Sequence, residues 1–100
     1  MIDIKLFIPV FAMALKVKRL SAEQPMIGKL VRELRQAMNL SQEKFAQELG
    51  MTFPTINRWE NGHATPSPLA LKQIEILLQQ LGDRGEALRT KYFPEDKSES

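Results

Sequence analysis

Two short apolar-patterned segments, on either side of the tripeptide Gly50-Met51-Thr52, constrain the fold of this chain more than any other feature. The first follows Ser41, a residue type that caps helix N-termini, and carries apolar residues at helical spacing. Gly50 is expected to end this helix, because glycine takes the left-handed backbone conformation at little cost. Thr52 then caps a second helix, which Gly62 ends. The pattern predicts two helices that meet at a tight corner, with the small residue Ala46 where they cross.

Helical spacing continues on both sides of this corner. A helix is predicted after Pro25, since Ile27, Val31 and Leu34 share one face and Asn39 suits the end. After a loop at 63–67, a fourth helix is expected to end at Gly82, and a short fifth one lies around 87–92. The apolar residues that indicate the fourth helix are Leu69, Ile74, Leu77, Leu78 and Leu81, and those that indicate the fifth are Ala87, Leu88 and Tyr92. The sequence therefore predicts an all-α bundle of five helices.

The domain is expected to occupy residues 25–93, between an N-terminal extension at 1–24 and a charged, disordered tail at 94–100. The apolar run at 6–15 is too short to span a bilayer, which takes about 20 residues. The cations at 16–19 are also wrong for a signal peptide. Four hypotheses for the extension stay open: an arm whose Lys16, Lys18 and Arg19 lie on phosphates, a strand at 2–8 that pairs with its copy, a tail docked on the bundle, or a natural start at Met26.

The composition excludes several kinds of chemistry. Cysteine is absent, so the chain offers no disulfide, thiolate zinc site or cysteine nucleophile, which suits a reducing cytoplasm. There is one histidine, and the sequence has no phosphate-cradling glycine loop and no acid and base paired at a recognisable spacing. We therefore expect no enzymatic activity, no cofactor and no metal. The net charge of +2 permits nucleic-acid binding without arguing for it.

Three stretches in a fixed order make the helical corner more specific: IGKLVRELR at 27–35, LSQEKFA at 40–46 and RWENG at 58–62. With this order and spacing, residues 26–81 resemble the Cro/C1-type helix-turn-helix domain of phage repressors and of xenobiotic-response-element-like (XRE) bacterial regulators. The resemblance implies a five-helix bundle that binds double-stranded operator DNA as a homodimer. It also implies that the third helix lies in the major groove and reads bases.

The resemblance assigns roles to individual residues. Gln42 matches a phosphate contact that braces the recognition helix, and free N–H groups at a helix start favour anions. Asn57 is suited to pair with adenine, and Arg58 with guanine or a phosphate. Arg35 and Glu60 match a partly buried structural ion pair between the first and third helices. The full set predicted to bind DNA is Gln42, Thr52, Phe53, Pro54, Thr55, Asn57, Arg58, Asn61, His63 and Thr65.

Phe53 and Pro54 depart from the family pattern, because relatives often carry Gln, Arg or Ser at these positions. Neither side chain can hydrogen-bond to a base edge. Phe53 can contact a thymine methyl group, or it can pack within the protein or on a partner. With fewer polar readers, specificity is expected to be modest or to depend on DNA shape.

The resemblance predicts a sequence-specific transcriptional regulator, a repressor whose dimer occupies an operator and blocks polymerase. One alternative is an antitoxin that binds a toxin protein and represses its own operon, and another is an accessory of a restriction–modification locus. Residues 26–67 carry five basic and four acidic residues. One protomer can therefore neutralise few phosphates, and a dimer doubles the contacts.

Overall fold

The computed structural model describes residues 20–94 and places five helices in them. They are α1 (Met26–Ala37), α2 (Gln42–Leu49), α3 (Phe53–Glu60), α4 (Pro68–Gln80) and α5 (Asp83–Tyr92). This stretch contains no strand. Helix α1 packs against α3 and α5, α2 packs against α3, and α4 packs against α5. The predicted all-α, five-helix architecture is confirmed.

The corner between α2 and α3 forms as its sequence predicts. Ser41 Oγ accepts a hydrogen bond from the Lys44 backbone N–H at 3.1 Å and so satisfies one free donor of the α2 N-terminus. Gly50 has a φ of 67°, and the next amide, of Met51, donates to the Ala46 carbonyl at 2.8 Å. This is a left-handed glycine cap, which reverses the chain within three residues.

One apolar core joins all five helices, and its largest fully buried side chain is Phe45 of α2. Trp59 of α3 is also in this core and is 3% exposed. Two core members lie outside the helices, namely Leu20 before α1 and Phe93 after α5. The other buried apolar residues are Ile27, Leu30, Val31, Leu34, Ala46, Leu49, Ile56, Ala70, Ile74, Leu77 and Leu78.

One of the apolar residues that indicated α4 in the sequence lies outside the core. Leu69 is 68% exposed, although the spacing grouped it with Ile74 and Leu78. Each residue of a helix is rotated by about 100° from the last, and Ala70 rather than Leu69 lies on the buried face. Ile76 is exposed as well.

A buried arginine fastens α5 to α4. Arg89 of α5 donates from Nη1 to Glu75 Oε2 at 2.8 Å and from Nη2 to Glu75 Oε1. The hydrogen bonds from Arg89 to Glu75 outweigh burial and raise the pKa of the arginine. The backbone N–H of Leu20 also donates to Glu75 Oε2, at 3.3 Å. The segment before α1 is therefore held against the same carboxylate.

The strand and arm predicted for residues 1–19, and nearly all of the tail at 94–100, lie outside the described residues. The domain boundary at residue 25 stays a prediction. Leu20 and Gln24, which precede it, already contact the bundle. Within residues 20–94, no helix has the length and apolarity that crossing a membrane requires.

Gly85 allows the closest approach between α4 and α5, because a Cβ there would overlap the backbone carbonyl of Leu78. Gly85→Ala should lower the free energy of unfolding by about 1–3 kcal/mol, the usual cost of overpacking, despite the better helix propensity of alanine. Urea unfolding followed by circular dichroism measures this. Thr90→Ala, an exposed change in the same helix, should cause no loss. A more stable Gly85→Ala variant would contradict the close packing.

Candidate nucleic-acid interface

The carboxylate of Glu60, the last residue of α3, is fully buried and bound by Arg35 of α1. Arg35 donates from Nε to Oε2 at 2.7 Å and from Nη2 to Oε1 at 3.1 Å. Its Nη1 donates to the backbone carbonyl of Leu40 at 2.9 Å. One guanidinium therefore joins α1, the end of α3 and the turn that leads into α2. This is the pairing that the sequence analysis expected between Arg35 and Glu60.

Two further side chains reach the same carboxylate. Gln42, at the start of α2, donates from Nε2 to Glu60 Oε1 at 3.0 Å. Arg32 lies one turn before Arg35 and donates from Nε to Oε1 at 3.4 Å, and from Nη2 to the Glu60 backbone carbonyl at 3.3 Å. Arg32 was not among the residues to which the sequence assigned a role. Its three-residue spacing from Arg35 was the available signal.

Burial of the Glu60 carboxyl group would by itself raise its pKa. The hydrogen bonds from Arg35 and Gln42 and the positive charge of Arg35 outweigh this effect, and the pKa is held below its ordinary value of 4.5. Glu60 is therefore ionised at neutral pH, and as an ion it can only accept hydrogen bonds.

From Glu60 a chain of amides leads to the protein surface. Gln42 Oε1 accepts a hydrogen bond from Asn57 Nδ2 at 3.2 Å, and Asn57 Oδ1 accepts one from Asn61 Nδ2 at 3.1 Å. Arg32 Nη2 donates to Asn61 Oδ1 at 3.4 Å and so closes the ring back to Glu60. We call these residues the Glu60 network: Arg32, Arg35, Gln42, Asn57, Glu60 and Asn61.

The ten residues predicted to bind DNA all have access to solvent. Gln42, Thr55 and Asn57 are half-buried. The other seven are exposed, namely Thr52, Phe53, Pro54, Arg58, Asn61, His63 and Thr65. The structure therefore brings three predicted residues together in the Glu60 network and leaves the others around it.

Phe53 and Pro54 form the first turn of α3, and both are exposed. Phe53 is 44% exposed, so a large part of its surface is not packed within the described part of the protein. Thr52 occupies the predicted N-cap position, but its side chain does not bond to a helix amide. Its Oγ1 instead shares a hydrogen bond with Thr55 Oγ1 at 3.0 Å.

Arg58 is exposed, and within residues 20–94 its guanidinium makes no hydrogen bond or ion pair. It lies one residue after Asn57, whose amide is engaged at both ends. The surface therefore combines an exposed cation without a partner in residues 20–94 with an amide that the protein holds in place.

Gln24 is a positioning residue that the sequence analysis did not single out. Its Nε2 donates to the backbone carbonyls of Trp59 at 3.0 Å and Ala64 at 2.7 Å, and its Oε1 accepts from the Gly28 N–H at 3.1 Å. It thereby fixes the end of α3 and the following loop against α1. No local pattern marks this glutamine, because its partners lie up to 40 residues away.

The described residues contain no group of three or more His, Cys, Asp or Glu side chains that could hold a metal ion. The chemistry that the surface offers is hydrogen bonding, positive charge and apolar contact.

The depressed pKa of Glu60 gives a pH prediction. Its ionised carboxylate stabilises the folded protein above the ordinary pKa of 4.5, and this contribution is lost as pH falls through the lower pKa of the folded state. Glu60→Gln should cost about 3 kcal/mol at pH 7, since it leaves Arg35 without its counter-charge, and the variant should lack this acid-dependent loss. Urea unfolding across the acid range measures both.

Glu48→Gln is the matched control, because Glu48 is exposed on α2, and it should leave both stability and pH profile almost unchanged. Equal stability of the Glu60→Gln variant and the wild-type protein at pH 7 would contradict a structural role for the carboxylate.

Comparison with known proteins agrees with this geometry. A family model described as helix-turn-helix, of the Cro/C1 (XRE) type, matches residues 31–80, which include the whole of α2, α3 and α4 and the second half of α1. No curated protein and no solved structure shows a significant match. On the strength of the family match, the chain belongs to the Cro/C1-type helix-turn-helix family of DNA-binding transcription regulators.

Proposed function

We propose that the protein is a sequence-specific repressor that binds operator DNA as a homodimer, with the first turns of α3 in the major groove. One observation carries the proposal: the ten residues assigned to DNA are exposed or half-buried, and none is used in the core. A major groove about 12 Å wide accepts a helix with its side chains.

The face of α3 supports this placement. Phe53 and Asn57 are four residues apart, as are Pro54 and Arg58, so the four side chains lie together on one side of the helix. Phe53 and Pro54 offer apolar contacts, and Asn57 and Arg58 offer hydrogen bonds and positive charge. The Glu60 network holds Asn57 before DNA arrives, which lowers the entropic cost of using it as a base reader.

Dimerisation increases the affinity for DNA. It is needed because the small net charge of residues 26–67 limits the binding free energy that one protomer gains from phosphate contacts. Two half-sites about one DNA turn apart then provide the recognition length. A repressor of this kind acts in the cytoplasm on DNA, without catalysis. It works by excluding polymerase from the operator.

Arg58 is the first residue to test. After selection of bound sequences from a random pool of double-stranded DNA, Arg58→Ala should weaken binding by about 1–3 kcal/mol at one base position and relax the preference there. Fluorescence anisotropy on single-base variants of the selected site measures this. Lys72→Ala, an exposed cation on α4 outside the predicted interface, is the control and should change little.

If Arg58→Ala weakens all sequences equally, the residue holds a phosphate, and the slope of binding against salt should fall by about 1. A selection that enriches no sequence at all would overturn sequence-specific binding.

If Phe53 contacts a thymine in the major groove, the affinity for DNA should depend on the methyl group of that base. Replacing thymine by uracil at each position of the selected site removes only that methyl. At one position we expect a loss of about fourfold, from a burial value of about 0.8 kcal/mol for one carbon. The loss should vanish in Phe53→Ala. Methyl sensitivity that persists in Phe53→Ala, or that occurs at no position, would show that Phe53 does not read thymine.

The antitoxin alternative makes a different prediction. It requires a small protein partner that co-purifies from the native cell and stays bound while the complex binds DNA. No described surface is specific to that role. If the chain purifies from its native cell without a partner, the antitoxin hypothesis is contradicted and the repressor hypothesis is unaffected.

A further inference from the structure

A groove of about 690 Å³ lies between α1 and α5, away from the first turn of α3. Lys29 and Arg32 line it from α1, and Arg84 lines it from α5. Leu88 and Ala37 add apolar surface between these cations. The groove is therefore suited to a partner that carries negative charge.

The carboxylate in the groove, Glu33, does not neutralise these cations. It accepts hydrogen bonds from Lys91 Nζ at 3.1 and 3.2 Å and from the Tyr92 hydroxyl. Lys29 and Arg84 are exposed and form no ion pair within residues 20–94. Two of the three cations, Lys29 and Arg84, are thus without a counter-charge in the described residues, whereas Arg32 is paired with Glu60 and the carboxylate of Glu33 is paired with Lys91.

An acidic segment of the same chain follows the groove directly. Tyr92 lines the groove, and the chain continues after Pro94 as Glu-Asp-Lys-Ser-Glu, with three carboxylates and one ammonium. The helical rise from Arg84 to Tyr92 is about 12 Å. Five extended residues span up to about 17 Å, which is enough to reach back along that length.

We propose that residues 95–99 dock in the α1–α5 groove, with their carboxylates against Lys29, Arg32 and Arg84. Because these residues are covalently linked to α5, their effective concentration at the groove is high, so weak ion pairs are sufficient for docking. The interaction is electrostatic, and it should disappear at about 1 M salt, where the screening length is about 3 Å.

This docking involves the Glu60 network, because Arg32 lines the groove and also donates to Glu60 and Asn61. A carboxylate in the groove competes for that guanidinium. The segment would thereby influence the surface that holds Gln42 and Asn57 without touching it.

The absence of cysteine allows a direct test in the full chain without DNA. A nitroxide spin label is attached to Ser98→Cys, and amide signals are recorded by NMR at low salt. The amides of Lys29, Gln36 and Ala87 should lose most of their intensity and regain it at high salt. The amide of Glu48, on α2, should not change. The broadening should not depend on protein concentration.

Two matched variants locate the interaction. Glu95→Gln, Asp96→Asn and Glu99→Gln together remove the three carboxylates of the segment, and Lys29→Gln with Arg84→Gln removes the two unpaired cations of the groove. All five positions are exposed or lie outside residues 20–94, so we expect both labelled chains to fold. Each set should abolish the broadening.

Broadening that is absent at low salt, or that survives both sets of changes, would overturn the proposal. Broadening that grows with concentration would also overturn it, since a second copy would then supply the segment. No outcome depends on DNA, so a failure here leaves the proposed repressor function untouched.

Discussion

The buried carboxylate of Glu60 determines how three helices sit against one another. An ionised carboxylate without partners in a protein interior is strongly unfavourable, so its neighbours must supply charge and hydrogen bonds. Arg35 brings α1 to it, and Gln42 brings the start of α2. The apolar core would allow these helices to slide or rotate by small amounts, because hydrophobic contact is not directional. The hydrogen bonds to Glu60 are directional, and they fix the corner that carries the exposed face of α3.

Glu75 of α4 has a comparable role. It accepts from Arg89 of α5 and from the backbone of Leu20, and so fixes α5 on α4 and holds the chain that enters α1. Each of these two acidic residues joins segments that are far apart in sequence. The bundle therefore depends on two buried or half-buried ionic contacts in addition to its apolar core.

The sequence predicted those parts of the structure that local rules determine. Ser41 and Gly50 act within a few residues, and their cap and turn could be predicted from residue type alone. Leu69 was misleading because it was grouped with the core residues as an apolar residue, whereas the rotation of about 100° per residue places it on the side of α4 opposite Leu78. The long-range roles of Gln24 and Arg89 could not be predicted, since the carbonyls that Gln24 binds in Trp59 and Ala64 lie 35 and 40 residues away and Glu75 lies 14 residues from Arg89. At the interface, the resemblance supplied the Arg35–Glu60 pair, whereas the participation of Arg32 required the folded chain.

The direction of every hydrogen bond in the amide chain follows from the charge at its buried end. A carboxylate has no proton to donate, so the NH₂ group of Gln42 must face Glu60, and its oxygen must face Asn57. The NH₂ of Asn57 is then turned toward Gln42, and its oxygen toward Asn61. The remaining donor and acceptor of Asn57 are consequently fixed in one arrangement rather than two. The buried negative charge of Glu60 thus determines the orientation of the Asn57 amide that a bound ligand would meet.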